Sequence, residues 1–116
     1  MDRNVIFFAW NRSIPGREKL SGDHFQEFVA YLGGLLRNGA IQGFDPVFLD
    51  QHGGDLNGFF LIRGEAAKLD ALTASPEWLE HMTRGALHLE GSGAVRGVAG
   101  DMVTKRMELW SKHIPD

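Results

Sequence analysis

Apolar side chains recur in two distinct periods along this chain. Residues 5–10 are an unbroken apolar run, Val5-Ile6-Phe7-Phe8-Ala9-Trp10, rich in β-branched and aromatic types, which predicts a first strand. Asn11-Arg12-Ser13-Ile14-Pro15-Gly16 then has the composition of a loop. Across residues 20–38 the period changes. Phe25, Phe28, Val29, Leu32, Leu35 and Leu36 fall at helical spacing and form one stripe. Ser21 is the expected N-cap of this helix, and Asn38-Gly39 its stop. Gly33-Gly34 inside it costs about 1 kcal/mol per glycine relative to alanine, and a close backbone approach would account for the pair.

Residues 40–50 predict a second strand. Pro46 has no N–H to give a neighbour, so this strand belongs at a sheet edge or carries a bulge. Gln51-His52-Gly53-Gly54-Asp55 is a hairpin-type loop, and residues 57–63 a third strand centred on Phe59-Phe60-Leu61-Ile62. A short helical stretch at residues 65–72 precedes Ser75-Pro76-Glu77-Trp78. That tetrapeptide reads as an N-cap, a proline at the first helical position and an acidic first turn, opening a helix to about residue 87. Residues 90–98 predict a fourth strand and residues 101–113 a last helix, with Val103, Met107, Trp110 and Ile114 as its stripe.

The order is β-α-β-β-α-β plus a C-terminal helix. It predicts one α+β domain over residues 1–116: a ferredoxin-like split βαβ motif with an antiparallel four-stranded sheet and an added helix. Both helical connections of such a sheet pack on one face. The first and third strands are nevertheless apolar on both sides, so two covered faces are expected. A second copy of the sheet would cover the second face and make a homodimer. The C-terminal helix is the alternative cover.

Composition removes several classes of function. The 116 residues suffice for a core without staples, and 43% hydrophobic and 23% charged residues are ordinary for a globular chain. Twelve Lys and Arg are scattered among fifteen Asp and Glu, for a net charge of −3, so no nucleic-acid partner is expected. The chain has no cysteine, which excludes disulfides, thiolate nucleophiles and Cys-ligated zinc and suits a reducing cytoplasm. The first residues do not read as a signal peptide. No apolar stretch approaches the roughly 18–20 residues that span a bilayer, so no membrane association is expected. Gly91 to Gly100 lacks the patterns of a phosphate-binding loop.

The layout, the broken second connection and Ser75-Pro76-Glu77-Trp78 resemble the dimeric α/β-barrel superfamily, in particular small YCII-like and antibiotic-monooxygenase-like proteins, over most of residues 5–98. The resemblance implies a ferredoxin-like subunit paired through its sheets, with a pocket between sheet and helices. That superfamily holds oxygenases, isomerases, haem proteins and non-enzymatic members, so the resemblance selects no reaction. The sequence carries no Asp-His dyad or haem-ligand motif for transfer.

Candidate chemistry rests on the five histidines, which ionise near neutral pH. His24 lies at the edge of the first helical stripe. His81 and His88 flank the stripe of Trp78, Leu79, Met82 and Ala86. They are seven residues apart, about 10 Å along a helix, too far to chelate one ion together. Glu77 and His81 at i, i+4 would supply half a metal site and nothing more, so no metal and no cofactor is expected. His52, among Asp50 and Asp55, reads as loop composition, and His113 as a favourable helix-end cation. At the end of the first strand Trp10 could stack a flat ligand and Arg12 pair with a carboxylate. The candidate site is therefore His24 and His81 as acid–base groups, with Trp10, Arg12 and Trp78 as ligand-binding walls. The expected function is a homodimer that binds or transforms a small organic molecule. The alternative is a non-catalytic dimerisation domain.

Overall fold

In the computed structural model, which describes residues 2–115, six strands and four helices follow one another along the chain. They are β1 (Val5–Trp10), β2 (Arg12–Ser13), α1 (Glu18–Arg37), β3 (Gly43–Phe48), β4 (Gly58–Arg63), α2 (Ala66–Thr73), α3 (Pro76–His88), β5 (Leu89–Glu90), β6 (Gly93–Gly97) and α4 (Asp101–Lys112). The main sheet is antiparallel, in the order β3-β4-β1-β6. The α+β class and the four-stranded antiparallel sheet are those expected from the sequence, and the layout is compatible with a ferredoxin-like motif. It departs from the minimal motif in the broken α2–α3 connection and in a second, two-stranded ribbon of β2 and β5.

Pro46 sits on the edge strand β3, opposite Phe60, where a missing N–H costs no central ladder bond. The Ser75 Oγ accepts the backbone N–H of Trp78, with Pro76 beginning α3. At α1 the reading is corrected. The helix starts three residues before the expected cap, at Glu18, and Ser21 lies inside it with its hydroxyl turned to other work. Nor does a close approach explain Gly33 and Gly34: a Cβ at either would meet only the Arg37 guanidinium, at 3.5 and 3.8 Å.

Alternation along the strands divides the sheet into two unlike faces. Ile6 and Phe8 of β1 and Phe60 and Ile62 of β4 point towards α1, α2 and α3. There they form the core with Phe28, Leu32, Ile41, Leu69, Leu72 and Trp78. Arg96 of β6 also points this way. Its guanidinium, 10% exposed at the side chain, binds Asp70 of α2 and the Arg3 carbonyl, each at 2.6 Å. On the opposite face Phe7, Phe59 and Leu61 are half-buried, mainly against one another, with the Phe7 and Phe59 rings 4.9 Å apart. Val95 beside them is 60% exposed. Val5, at one end of this face, is buried, but among the described residues no helix buries Phe7, Phe59 or Leu61.

The C-terminal helix does not supply the cover. None of its residues is buried, and Val103, Met107, Leu109 and Trp110 all stand in the open. The molecule accordingly measures 53 × 38 × 21 Å with a radius of gyration of 15.9 Å. A compact chain of about 100 residues would have roughly 13 Å. Among the described residues no helix is long and apolar enough to cross a membrane.

Gly58, paired with Trp10, shows how closely the end of β1 is packed. A Cβ at this position would lie 2.5 Å from the Trp10 ring. Gly58→Ala is expected to displace the indole and to cost about 1–3 kcal/mol, read as a shift of the urea midpoint with an unchanged slope.

Candidate functional site

The second ribbon builds the site. Where β1 ends, Asn11 N–H donates to the Glu90 carbonyl (2.9 Å) and Ile14 N–H to the His88 carbonyl (2.8 Å). These bonds and the Ser13–Leu89 pairing hold β2 against the C-terminal end of α3. Ser13 is thereby placed beside His88, and α1, which follows at once, brings Ser21 and His24 to the same point. The Ser21 Oγ lies 2.8 Å from both the Ser13 Oγ and His88 Nδ1.

From His88 a continuous chain of imidazoles runs between α1 and α3. His88 Nε2 is 2.7 Å from His24 Nδ1, and His24 Nε2 is 2.9 Å from His81 Nδ1. All three are buried, with exposures of 6% for His24, 8% for His81 and 6% for His88. The His24 and His81 rings are nearly coplanar (9°), and the His24 and His88 rings nearly perpendicular (82°). In both pairs the centroid separation, 5.2 and 5.0 Å, exceeds the N···N distance by about one ring width. Ring centres and nitrogens therefore fall on one line, the geometry of a strong N–H···N bond.

Burial lowers the pKa of all three, because removal from water penalises the charged form. His24 falls to about 4, through desolvation first, then repulsion from Arg84 and from His88 and His81, against a weaker pull from Glu27. His81 is lowered by desolvation and Arg84, opposed by Glu77, Glu80 and Glu27, and His88 by desolvation and Arg84. Arg84 itself pairs with Glu27 at 2.5 Å. At neutral pH the chain is thus three neutral imidazoles. The nitrogens point at one another, not at a common centre. Among the described residues no group of His, Cys, Asp or Glu is arranged to hold a metal ion.

Beside the inner end of this chain lies a cavity of about 410 Å³. Its apolar walls are Phe8, Trp10, Phe25, Phe28, Phe48 and Phe60. Its polar wall includes Ser13, Ser21, His24 and His88. Trp10 packs edge-on to Phe25 and Phe48, whose own rings are 5.1 Å apart.

The structure brings together part of the candidate set. Trp10 and His24 line the cavity, and His81 is joined to it through His24. Arg12 does not line it: its Nε donates to the Glu90 carboxylate at 2.7 Å on the exposed side of the ribbon. Trp78 is core, 2% exposed and packed on Phe28. His52 is exposed and bonded to the Asp50 carbonyl, and His113 follows the last turn of α4.

Sequence reading missed the polar wall of Ser13, Ser21 and His88. A signal for the histidines was present. His24, Phe28 and Leu32 are spaced i, i+4, i+8 and are the three buried residues of α1. Trp78, His81, Gly85 and His88 likewise form the buried stripe of α3. The face of α3 is rotated from the expected one, since Leu79 is 53% exposed. The histidines thus occupy the stripes themselves instead of flanking them.

No family model matches the chain, and neither a curated protein nor a solved structure matches it significantly.

The neutral cluster makes stability depend on pH. The folded-state pKa of His24 lies below the unfolded value of 6.5, so its contribution is fully present above about pH 6.5 and is lost as pH falls towards 4. Acidification across that window is expected to remove about 3 kcal/mol through His24, at 1.36 kcal/mol per pH unit. Urea titrations at successive pH values measure the slope. His24→Asn should flatten it without abolishing it, because His81 and His88 also titrate low.

Proposed function

We propose that this protein binds a flat, mainly apolar small molecule in the cavity between sheet and helices, and that its polar wall exchanges a hydrogen bond or a proton with a polar group of that molecule. The single observation behind this reading is the asymmetry of the cavity. Aromatic rings make most of its surface, and the serine–histidine cluster makes one side. Its size, about 410 Å³, is that of pockets for small organic ligands, which are mostly apolar with a few placed polar groups. His24 and His88, neutral at pH 7, are suited to accept or donate one proton as general base or acid. His81 belongs to this acid–base set through its bond to His24, and Trp10 is the stacking wall. Arg12 and Trp78 have no place in the ligand contact. The absence of cysteine favours a cytoplasmic setting within this reading.

Gly22 of α1 offers a clean test. It lines the cavity, and a Cβ there meets nothing within 4 Å. Gly22→Phe should fill the space while improving helix propensity. Titration of the native protein with 2-naphthol, a planar hydroxyaromatic, is expected to quench Trp10 fluorescence saturably. The substituted protein should bind at least about tenfold more weakly, a loss of about 1.4 kcal/mol. Equal affinity in both would remove the cavity as the binding site.

A second observation supports assembly. The uncovered sheet face and the unpartnered stripe of α4 are two apolar surfaces in one chain, and a stable solution has both buried. The reading is a homodimer in which these surfaces are covered by a second copy, in the manner of the dimeric α/β-barrel superfamily that the layout resembles. A purely structural dimerisation domain would have the same surfaces, and it becomes the preferred reading if the cavity binds nothing. Native mass spectrometry should give twice the chain mass, and Phe59→Lys, on the uncovered face, should give the single-chain mass with unchanged circular dichroism. A single-chain mass for the native protein would end the dimer proposal.

A further inference from the structure

The binding reading gives His81 no contact with the ligand. It does not line the cavity, yet it is buried, aligned and bonded in sequence with His24 and His88. A neutral imidazole has one N–H and one bare nitrogen. With two N···N contacts in series, the three rings must share a tautomer. Either every Nδ1 carries the proton or every Nε2 does. A mixed arrangement would set two N–H groups, or two lone pairs, face to face at 2.7 or 2.9 Å. The chain therefore has two polarities, and one proton passing along it converts one into the other.

We propose that Ser13, Ser21, His88, His24 and His81 form a proton relay between solvent and the aromatic cavity, serving a ligand with an ionisable hydroxyl such as a phenol or an enol. The proposal rests on the cavity reading only for its inner terminus. The outer terminus is His81 Nε2, which has no protein partner among the described residues. The only buried side-chain polar atom left unpartnered among them is Arg96 Nε, so His81 Nε2 is open to water.

The step balances without a co-reactant. Beginning with protons on Nδ1, His81 Nε2 takes a proton from water and its Nδ1 proton passes to His24 Nε2. The His24 Nδ1 proton passes to His88 Nε2, and the His88 Nδ1 proton to the Ser21 Oγ. Ser21 releases its own hydroxyl proton, directly or through Ser13, to the ligand oxygen. One proton enters and one leaves, no net charge remains in the chain, and reverse transfer restores the tautomers. The hydroxyl rotors suit either direction, because each both donates and accepts.

The surroundings favour transit over residence. From α1, Glu27 faces the cluster. From α3, Glu77, Glu80 and Arg84 do. Arg84 opposes a cation on any of the three rings, whereas Glu77 and Glu80 act on His81, at the end where a proton arrives. Arg17 lies nearby with its guanidinium bonded to the Leu87 carbonyl. Tyr31, its ring centroid 4.5 Å from that of His81, is held protonated by burial and takes no part.

Imidazole NMR of the ¹⁵N-histidine-labelled, ligand-free protein tests the relay independently of the cavity. At pH 7 the three rings should show one common tautomer, with N–N scalar couplings for the 24–88 and 24–81 pairs. On acidification the first proton taken up should be shared, shifting all three rings at the same first midpoint below the ordinary histidine value. Opposite tautomers, or a first proton confined to one ring, would overturn the relay. His81→Gln, which hydrogen-bonds but cannot pass a proton through itself, should slow exchange of the His24 and His88 ring protons with water by about tenfold. An unchanged rate would also overturn it. If that variant does not fold, the couplings and midpoints of the native protein decide. A native protein that shows the shared tautomer but does not bind 2-naphthol would overturn the cavity reading instead, and with it the ligand end of the relay.

Discussion

Three imidazoles buried between two helices are tolerable only because each satisfies the next. An unbonded polar group in a core costs about 1–3 kcal/mol, and a charged one far more. Here His24 of α1 bridges His81 and His88 of α3 on both of its ring nitrogens, and Ser21 closes the inner end. That network sets the register of the two helices. The ribbon of β2 and β5 then fixes the end of α3 against the end of β1, so the polar cluster forms one wall of the aromatic cavity. Moving α1 by one turn would leave several ring nitrogens without partners at once.

The same sheet serves two different ends. One face, through Ile6, Phe8, Phe60 and Ile62, is sealed by helices and becomes core and cavity floor. The other keeps Phe7, Phe59 and Leu61 clustered without a cover, while α4 extends away with its own apolar stripe unused. A twelve-residue helix without packing is marginal in water, so its stability is tied to whatever covers that stripe. The cavity and the uncovered surfaces lie on opposite sides of one layer. The ligand binding and the self-association proposed here would therefore use different faces of the sheet.

Much of the fold could be read along the chain because its determinants are local. A β-branched aromatic run made β1, Pro46 marked the edge strand, and Ser75-Pro76 opened α3. Where local signals competed, tertiary contacts won. Ser21 has the chemistry of a helix cap, but His88, 67 residues away, offers its hydroxyl a buried partner, and α1 begins earlier. Arg12 has the chemistry of an anion ligand, but Glu90 across the ribbon neutralises it.

The sequence by itself determined the chain order of the helices and of the four main-sheet strands, the α+β class and the edge position of β3. Each of these follows from spacing and composition within a few residues. Only the tertiary structure decided that His24, His81 and His88 form one line, that Trp78 lies in the core and that α4 leaves the sheet face open. The physical reason is that these outcomes depend on rotation and register between elements. A helical stripe that contains histidine is compatible with solvent, with core or with a site, until the facing helix shows what each ring nitrogen meets. In this protein each inner ring nitrogen meets another imidazole or a serine hydroxyl, at pairs separated by 57 to 67 residues.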